Sequence, residues 1–330
     1  MTDHRSDGSS VVTGGAGAIG SVLVERLLRE GRAVEVLDNF STGQRSLLPT
    51  GPAAARLRVT TCHLGREEPP EGAFRGASEV WHLAANADVR RGPEDPRVDL
   101  TNGTLATFQV LERARRADVP RFVFSSSSVV YGYASVFPTP ETYGPLEPES
   151  LYGAAKLAAE GLISAYAHTY GLRAYTFRFA NIIDGRANHG VLYDFFEKLR
   201  ADPTTLEVLG DGRQAKSYLR TEECVDGMLA GARGASDPVN LFNLGSLDRI
   251  SVREIAEKVV AVHGGTARIT YRGGDRGWVG DVPQQLLSVE KIGRIGWAPK
   301  LSSAQAVDRT IGEYAAARRL PGVAAARPSG

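Results

Sequence analysis

The feature that most constrains the fold is a cluster of glycines between a short apolar run and a helical pattern. Residues 11–20 read VVTGGAGAIG, so Gly14, Gly17 and Gly20 fall where a strand would turn into a helix predicted over 19–30. Without a Cβ, these residues permit a tight turn, close approach of a phosphate to the N–H groups at the helix start, and close packing of helix on strand. The spacing alone is weak evidence, because a flexible glycine-rich turn reads the same way.

The strand predicted next ends in an acid. Residues 33–39 read AVEVLDN, and Asp38 follows Gly20 by 18 positions. A carboxylate at this place accepts hydrogen bonds from the ribose hydroxyls of adenosine and repels a 2′-phosphate. Strand, glycine turn, helix and acid together predict a binding site for NAD rather than NADP.

Short apolar or β-branched runs alternate with longer helical patterns through the first half of the chain. The predicted strands are 10–13, 33–37, 80–83, 122–124 and 174–179, and the predicted helices are 19–30, 105–117 and 151–170. This alternation predicts βαβ units and a doubly wound parallel sheet of the Rossmann α/β class. After about residue 180, glycines and prolines interrupt the pattern, and helices are expected only near 191–200 and 252–262.

We therefore expect two lobes. The first, 10–180, would bind the dinucleotide and be rejoined by part of 217–246, while 181–320 would form a smaller α/β lobe for the second substrate. Residues 1–9 and 321–330 are polar or small and carry no periodic apolar pattern. We expect them to be flexible tails.

Composition excludes several classes of protein. The 330 residues include 39 Lys+Arg and 38 Asp+Glu, a net charge of +1, which lacks the basic excess of nucleic-acid binders. No apolar run reaches about 18 residues, so no membrane span is expected. The two cysteines, Cys62 and Cys224, cannot form a disulfide framework, and no secretory signal pattern is evident, so we expect a cytoplasmic protein. We expect no metal site.

The predicted helix 151–170 places Tyr152 and Lys156 on one face, one turn apart. Lowering a tyrosine pKa from about 10 to about 7 requires roughly 4 kcal/mol, which an adjacent ammonium and a nicotinamide cation could together supply. Four serines, 125–128, follow the strand 122–124 at the end where such sheets bind ligands, and a serine there can orient a reacting hydroxyl. The structural alternatives are a surface helix pair and an ordinary strand-end loop.

Together these motifs resemble the extended short-chain dehydrogenase/reductase superfamily, in its branch of nucleotide-sugar epimerases and dehydratases. The resemblance covers about residues 10–318 and rests on nine ordered elements: GGAGAIG (14–20), Asp38-Asn39, HLAA (82–85), Asn102, SSSSVVYG (125–132), Tyr152 with Lys156, RFAN (178–181), GDV (280–282) and a Gly-Trp-x-Pro element at 296–299. Chance agreement of so many ordered motifs is very unlikely.

The resemblance implies roles for particular residues. The catalytic set would be Ser127, which lies four positions before Tyr131, with Tyr152 and Lys156. NAD would contact Gly14, Gly17, Ala18, Ile19, Gly20, Asp38, Asn39, Leu83, Ala84, Ala85, Asn102, Tyr152 and Lys156. The substrate would contact Ser127, Ser128, Asn181, Arg186, Lys216 and Arg276, with Lys216 standing where the family usually has an arginine.

The resemblance also separates the reactions of this branch. Dehydratases and uronate decarboxylases carry an acid at one or both positions after the catalytic serine or threonine, whereas Ser128 and Val129 follow Ser127 here. This favours 4-epimerisation of a UDP-sugar, glucose or glucuronate, with hydride removal and return. A dehydratase or decarboxylase using another acid, a net oxidoreductase, and a silent NAD-sensing protein remain alternatives. Helices 105–117 and 151–170 would pair across a twofold axis into a four-helix bundle, which implies a homodimer.

Overall fold

The computed structural model describes residues 8–86, 88–318 and 320. Its α-helices are α1 Ala18–Arg29, α2 Arg97–Asp99, α3 Ala106–Arg116, α4 Leu151–Tyr170, α5 Val191–Ala201, α6 Thr221–Gly234, α7 Val252–Val262, α8 Glu290–Gly293 and α9 Ser303–Arg318. Its strands are β1 Ser9–Thr13, β2 Val34–Asp38, β3 Leu57–Thr61, β4 Ala77–His82, β5 Arg121–Ser127, β6 Arg173–Phe179, β7 Asn181–Ile183, β8 Thr205–Val208, β9 Ala215–Lys216, β10 Tyr218–Arg220, β11 Val239–Leu244, β12 Ile250–Ser251, β13 Arg268–Tyr271 and β14 Gln284–Gln285. A π-helical segment, Leu100–Leu105, joins α2 to α3.

Seven strands form one parallel sheet in the order β11-β6-β5-β4-β1-β2-β3. The chain moves outward from β1 through β2 to β3, and then returns to place β4 on the other side of β1. This reversal opens a crevice at the carboxyl ends of β1 and β4, where doubly wound sheets bind their ligands. The predicted α/β class is confirmed.

Both faces of the sheet are buried, because helices cover each of them. Successive strand residues point to opposite faces, so Val12 and Val123 pack in the core with α1 and α6, while Val11 and Phe122 pack in the core with α3 and α4. Both of these cores continue along the whole sheet. Strands β1 and β5 therefore carry apolar residues at consecutive positions rather than in alternation.

Most of the later chain packs around a third core. It is formed by β8 and β13, which pair in parallel, and by apolar faces of α5, α7 and α9. Between α5 and α7 the chain returns to the large sheet, where α6 packs against α1 and β11 extends the edge beside β6. Among the residues that the structure describes, no helix is long and apolar enough to cross a bilayer. Of the predicted tails, 1–7 and 321–330 lie outside the described residues, and Ser9 begins β1.

The glycine turn between β1 and α1 generates the first prediction. A Cβ on Gly20 would lie 2.1 Å from the carbonyl oxygen of Gly14, so Gly20→Ala must open the turn. We expect loss of NAD binding and a decrease of about 1–3 kcal/mol in the free energy of unfolding. Calorimetric NAD titration and denaturant unfolding measure the two effects.

Gly312 in α9 provides the matched control. No described atom lies within 4 Å of a Cβ placed there. Gly312→Ala should therefore leave NAD binding unchanged and raise the free energy of unfolding by about 0.4–1 kcal/mol. A Gly20→Ala protein that binds NAD like the wild type would contradict this account of the turn.

Candidate active site

A cleft of about 950 Å³ runs from the glycine turn, along the carboxyl ends of the parallel strands, to the third core. Its lining includes nearly every residue that the sequence motifs predicted: Gly14, Gly17, Ala18, Ile19, Gly20, Asp38, Asn39, Leu83, Ala84, Ala85, Asn102, Ser127, Ser128, Tyr152, Lys156, Asn181, Arg186 and Lys216. Arg276 is the exception and lies outside the lining. Segments far apart in sequence thus meet in one continuous space.

The glycine turn leaves the start of α1 open to the cleft. Gly14 has a φ of +68°, and a Cβ there would lie 2.8 Å from the backbone nitrogen of Ala84. Gly17 occupies the N-cap of α1 in an extended conformation, and no described side chain caps the helix. The first N–H groups of α1 are therefore free to bind an anion, and the cradle fits the diphosphate of a dinucleotide.

Asp38 ends β2 beside this turn. Its Oδ2 accepts a hydrogen bond of 2.9 Å from the N–H of Ala16, and its Oδ1 accepts one of 2.8 Å from the N–H of Phe40. The carboxylate is thus fixed in orientation by two loops and still has lone pairs for ribose hydroxyls. Its position fits the adenosine ribose of NAD.

His82 links the cofactor end of the cleft to the π-helical segment, a role that the sequence motif did not indicate. Its Nδ1 lies 2.7 Å from Oγ1 of Thr13, and its Nε2 lies 3.0 Å from Oγ1 of Thr107. Thr107 donates to the carbonyl of Gly103, and Thr13 accepts from the N–H of Ala84, which assigns the ring proton to Nε2. Burial lowers the pKa of His82 to about 3, and nearby Lys156 contributes to the decrease. The imidazole is a neutral brace.

Tyr152 and Lys156 lie on the first two turns of α4, where Ser150 caps the helix by accepting the N–H of Gly153 at 3.1 Å. The ammonium of Lys156 donates to the carbonyl oxygen of Ser125 at 2.6 Å and lies 5.6 Å from the centre of the Tyr152 ring. This hydrogen bond connects the helix directly to the end of β5. The predicted one-turn spacing therefore brings a phenol and an ammonium together in the cleft.

Burial affects the two groups in opposite directions. It raises the pKa of Tyr152, and the carboxyl of Asp99 raises it further. It lowers the pKa of Lys156 to about 7, although Glu160 and Asp99 oppose that decrease. Because desolvation disfavours the phenolate, a tyrosine base here requires positive charge beside its oxygen.

The serine loop is held to α4 by a buried ion pair that sequence analysis missed. Ser126 donates to Oε1 of Glu160, and the guanidinium of Arg178 binds both oxygens of that carboxylate at 3.0 and 2.7 Å. Glu160 and Arg178 are almost fully buried. Ser127, the next residue, ends β5 and faces the cleft with its Oγ 3.4 Å from the N–H of Val129. The ion pair therefore fixes Ser127 relative to Tyr152.

Four of the predicted substrate residues come from the part of the chain after β6: Asn181, Arg186, Lys216 and Arg276. Asn181 donates to the carbonyl of Ser217 at 3.2 Å. Three cations are ion-paired there: Arg186 with Asp184 at 2.6 Å, Lys216 with Asp281 at 2.5 Å, and Arg276 with Glu149 at 3.6 Å. Arg276 also lies over the ring of Tyr133, which places it beside the cleft rather than in its lining.

Fold and site together define a dinucleotide-dependent α/β protein whose cofactor cleft adjoins a tyrosine–lysine pair. The model of the NAD dependent epimerase/dehydratase family matches residues 10–245, so the chain belongs to that family. The resemblance inferred from the motifs is confirmed, and the cofactor is NAD. The protein is therefore an enzyme of this family.

Individual relatives give a more detailed comparison. The UDP-glucose 4-epimerase of Mycolicibacterium smegmatis is 30% identical over 92% of this chain and 97% of its own length. A crystal structure of UDP-galactose 4-epimerase is 38% identical, with a TM-score of 0.83 over 94% of this chain and 99% of that chain. The Thermus thermophilus UDP-glucose 4-epimerase, solved with NAD, is 30% identical, with a TM-score of 0.80 over 93% and 98%.

Other relatives are named for different reactions, decarboxylation and dehydration. UDP-glucuronic acid decarboxylase 1 of Arabidopsis thaliana is 29% identical over 92% of this chain and 69% of its own length. Similarity at this level therefore fixes the family, while the choice of reaction depends on the residues in the cleft.

Asp38 generates a prediction on cofactor choice. Asp38→Asn removes the charge that attracts the ribose hydroxyls and repels a 2′-phosphate, while it keeps an acceptor oxygen for one of the two loop N–H groups, those of Ala16 and Phe40. We expect NAD affinity to decrease about 10- to 100-fold and the preference over NADP to shrink, because hydrogen bonds to charged groups contribute about 1.5–3 kcal/mol. Calorimetry with both cofactors measures this.

Glu35 offers the control on the same strand. It is buried and binds Arg58 and Thr60, and it does not line the cleft. Glu35→Gln should leave the NAD to NADP ratio unchanged. An unaltered ratio in Asp38→Asn would remove the ribose role of Asp38.

Proposed function

We propose that the enzyme interconverts the C4 epimers of a UDP-sugar, either UDP-glucose with UDP-galactose or UDP-glucuronate with UDP-galacturonate. The main support is the set of groups at the reacting end of the cleft. Tyr152, Lys156 and Ser127 meet there, and no acid follows the serine at positions 128 and 129. Such a site can take a proton from a sugar hydroxyl and return it, whereas removal of water requires an additional acid.

Tyr152 acts as the base in this mechanism. Its phenolate takes the proton of the sugar 4-hydroxyl as that carbon becomes a carbonyl, and Ser127 donates a hydrogen bond that orients the same oxygen. The glycine turn and Asp38 would hold NAD, which would supply the acceptor and the donor for a hydride that leaves C4 and returns to the opposite face of the ring. Tyr152 then gives its proton back to the new 4-hydroxyl, so protons and electrons balance and no net oxidation occurs.

Lys156 makes the phenolate possible. Since burial disfavours negative charge on Tyr152, the neighbouring ammonium must provide part of the compensating positive charge. The carbonyl of Ser125 fixes the ammonium at 2.6 Å, which leaves further N–H groups that can donate to the nicotinamide ribose or the phenolate. Lys156 therefore both tunes the base and positions the cofactor.

We assign the NAD contacts to the first lobe and the UDP contacts to the second. Lobe 10–180, with part of 217–246, binds NAD through the glycine turn, Asp38, Asn39, residues 83–85 and Asn102. Lobe 181–320 binds the UDP group, with Asn181, Arg186 and Lys216 in the lining and Arg276 at its edge. Arg186, Lys216 and Arg276 each have N–H groups beyond those in the ion pair, and these can donate hydrogen bonds to a diphosphate.

Dehydration, decarboxylation and net oxidation each require a reactive acid or thiol. A dehydratase or decarboxylase would need a proton donor, and two candidate acids of the cleft, Asp184 and Asp281, are each paired with a cation. A net oxidation through a thiohemiacetal would need a reactive thiol. Burial raises the pKa of Cys62 to about 11, with Glu67 adding to the increase, so its thiolate is scarce at neutral pH.

A homodimer is part of the proposal. Five large apolar side chains lie exposed on consecutive helical segments, namely Leu100, Leu105, Phe108, Leu151 and Tyr170. All belong to the π-helical segment, α3 and α4. These helices are the pair expected to form a four-helix bundle with a second copy, which would bury such a surface.

Proton NMR tests the reaction. The purified enzyme with NAD is given UDP-glucose, UDP-glucuronate and UDP-N-acetylglucosamine in turn, and we expect the C4 epimer of at least one without accumulation of NADH. Tyr152→Phe should reduce turnover at least 10²- to 10⁴-fold, the usual contribution of acid–base catalysis, with NAD affinity unchanged. Tyr170→Phe, on the exposed end of the same helix, is the control with wild-type turnover. Loss of water or CO₂, or accumulation of NADH, would refute epimerisation.

Asp99 generates a prediction on pH dependence. This buried carboxyl accepts from Asn86 at 3.0 Å, and its Oδ2 has no partner among the described residues. Its negative charge raises the pKa of both Tyr152 and Lys156. In Asp99→Asn both values should fall, so both limbs of the pH profile of kcat should move to lower pH.

Asp95→Asn provides the matched control, because Asp95 is exposed and, within the described part of the chain, its side chain accepts the N–H of Arg97. Its pH profile should equal that of the wild type. A profile unchanged in Asp99→Asn would show that Asp99 does not act on the tyrosine–lysine pair.

A further inference from the structure

A tight turn at residues 277–281 carries a tryptophan into the cleft. The N–H of Asp281 donates to the carbonyl of Trp278 at 3.1 Å, and Oδ2 of Asp281 accepts the N–H of Gly277 at 2.9 Å. Gly280 has a φ of +87°, a conformation that favours glycine at the third position of such a turn. The turn is therefore closed from both ends by one aspartate.

A nearly buried ion pair fixes this turn to β9. The ammonium of Lys216 lies 2.5 Å from Oδ1 of Asp281, and the two side chains are only 13% and 3% exposed. The same ammonium lies 5.1 Å from the centre of the Trp278 ring, within the range of a cation–π interaction. The indole is thus held in place by its own backbone turn and by a cation beside it.

The turn contacts both segments that carry the proposed catalytic groups. A Cβ on Gly280 would lie 3.0 Å from the carbonyl oxygen of Glu149 and 3.1 Å from Cβ of Ser150, which caps the helix of Tyr152. The hydroxyl of Tyr133, just beyond the serine loop, donates to the carbonyl of Asp281 at 3.4 Å. Trp278 therefore belongs to the reacting end of the cleft.

Trp278 also differs from the other tryptophans of the chain. Trp81 and Trp297 are 1% and 7% exposed and belong to the core, whereas Trp278 is 38% exposed and lines the cleft. A large aromatic surface left open inside a ligand cleft is suited to contact with a ligand, since its burial on binding is favourable.

We propose that Trp278 is a substrate-contacting residue whose indole packs against the hexose ring of the UDP-sugar. This inference rests on the proposed function. The hexose is the part of the substrate that must lie between Tyr152 and Ser127, and the turn of Trp278 touches the segments of both. An aromatic face contacts the C–H groups of a pyranose without directional hydrogen bonds. It therefore supports the ring in both orientations that hydride removal and return require.

If the indole contacts the hexose, changing Trp278 should weaken binding of UDP-glucose and leave binding of UDP nearly unchanged. Calorimetric titration of the NAD-loaded wild type, Trp278→Phe and Trp278→Ala with UDP-glucose and with UDP alone measures each contribution. We expect Trp278→Ala to weaken UDP-glucose binding about tenfold and UDP binding less than twofold, while Trp278→Phe stays close to the wild type for both. The rescue by phenylalanine distinguishes ring contact from a structural role of the turn.

Tryptophan fluorescence of the unaltered protein gives a second measurement. Because Trp81 and Trp297 are buried, UDP-glucose should reduce acrylamide quenching of the single exposed indole, and UDP alone should not.

Equal weakening of UDP and UDP-glucose in Trp278→Ala would overturn the hexose assignment, as would wild-type affinity for both. A wild type that binds UDP-glucose but performs another reaction would refute the proposed epimerisation and leave the indole contact standing. A wild type that does not bind UDP-glucose would refute both.

Discussion

The close approach of backbone segments at the first glycine turn is the constraint on which the site depends. With Gly14 against Ala84 and Gly20 against the carbonyl of Gly14, the turn has no room for side chains. Helix α1 consequently begins at the cleft with its N–H groups uncovered, and the N–H of Ala16 reaches the carboxylate of Asp38. The same contact brings the end of β4 close enough for the threonine–histidine brace. The open start of α1, the position of Asp38 and the hydrogen bonds of His82 therefore all depend on the same glycine turn.

Local sequence patterns predicted the elements whose causes are local. Helix α4 runs from Leu151 to Tyr170 as expected, because Ser150 caps its start and Gly171 adopts a left-handed conformation at its end. Helix α6 was not predicted, because Gly227 and Gly231 resemble helix breakers. At these two positions the helix backbone packs directly against other side chains. A Cβ on Gly227 would lie 2.7 Å from Leu244, and a Cβ on Gly231 would lie 2.6 Å from Phe177. That packing exists only after β11 has paired with β6, a contact between segments distant in sequence.

In the candidate site, too, features with local causes were predictable and features that depend on distant contacts were not. The motifs pointed to Asp38 and Tyr152 by their spacing and to Ser127 by the family resemblance, and all three line the cleft. Their supports could not be predicted, because the Glu160–Arg178 pair joins a helix to a strand, and Asp99 affects Tyr152 from a different element. For Arg276 the sequence suggested a diphosphate contact, and the structure adds that Glu149 and the ring of Tyr133 hold it at the edge of the cleft, a position that no spacing rule contains.

The histidine between two threonines has a consequence for how this enzyme can be studied. Since burial lowers the pKa of His82 to about 3, the imidazole that braces Thr13 against Thr107 stays uncharged where assays are run. A change of turnover with pH near neutrality therefore does not arise from this imidazole, and the brace keeps the same hydrogen bonds while the reacting groups ionise.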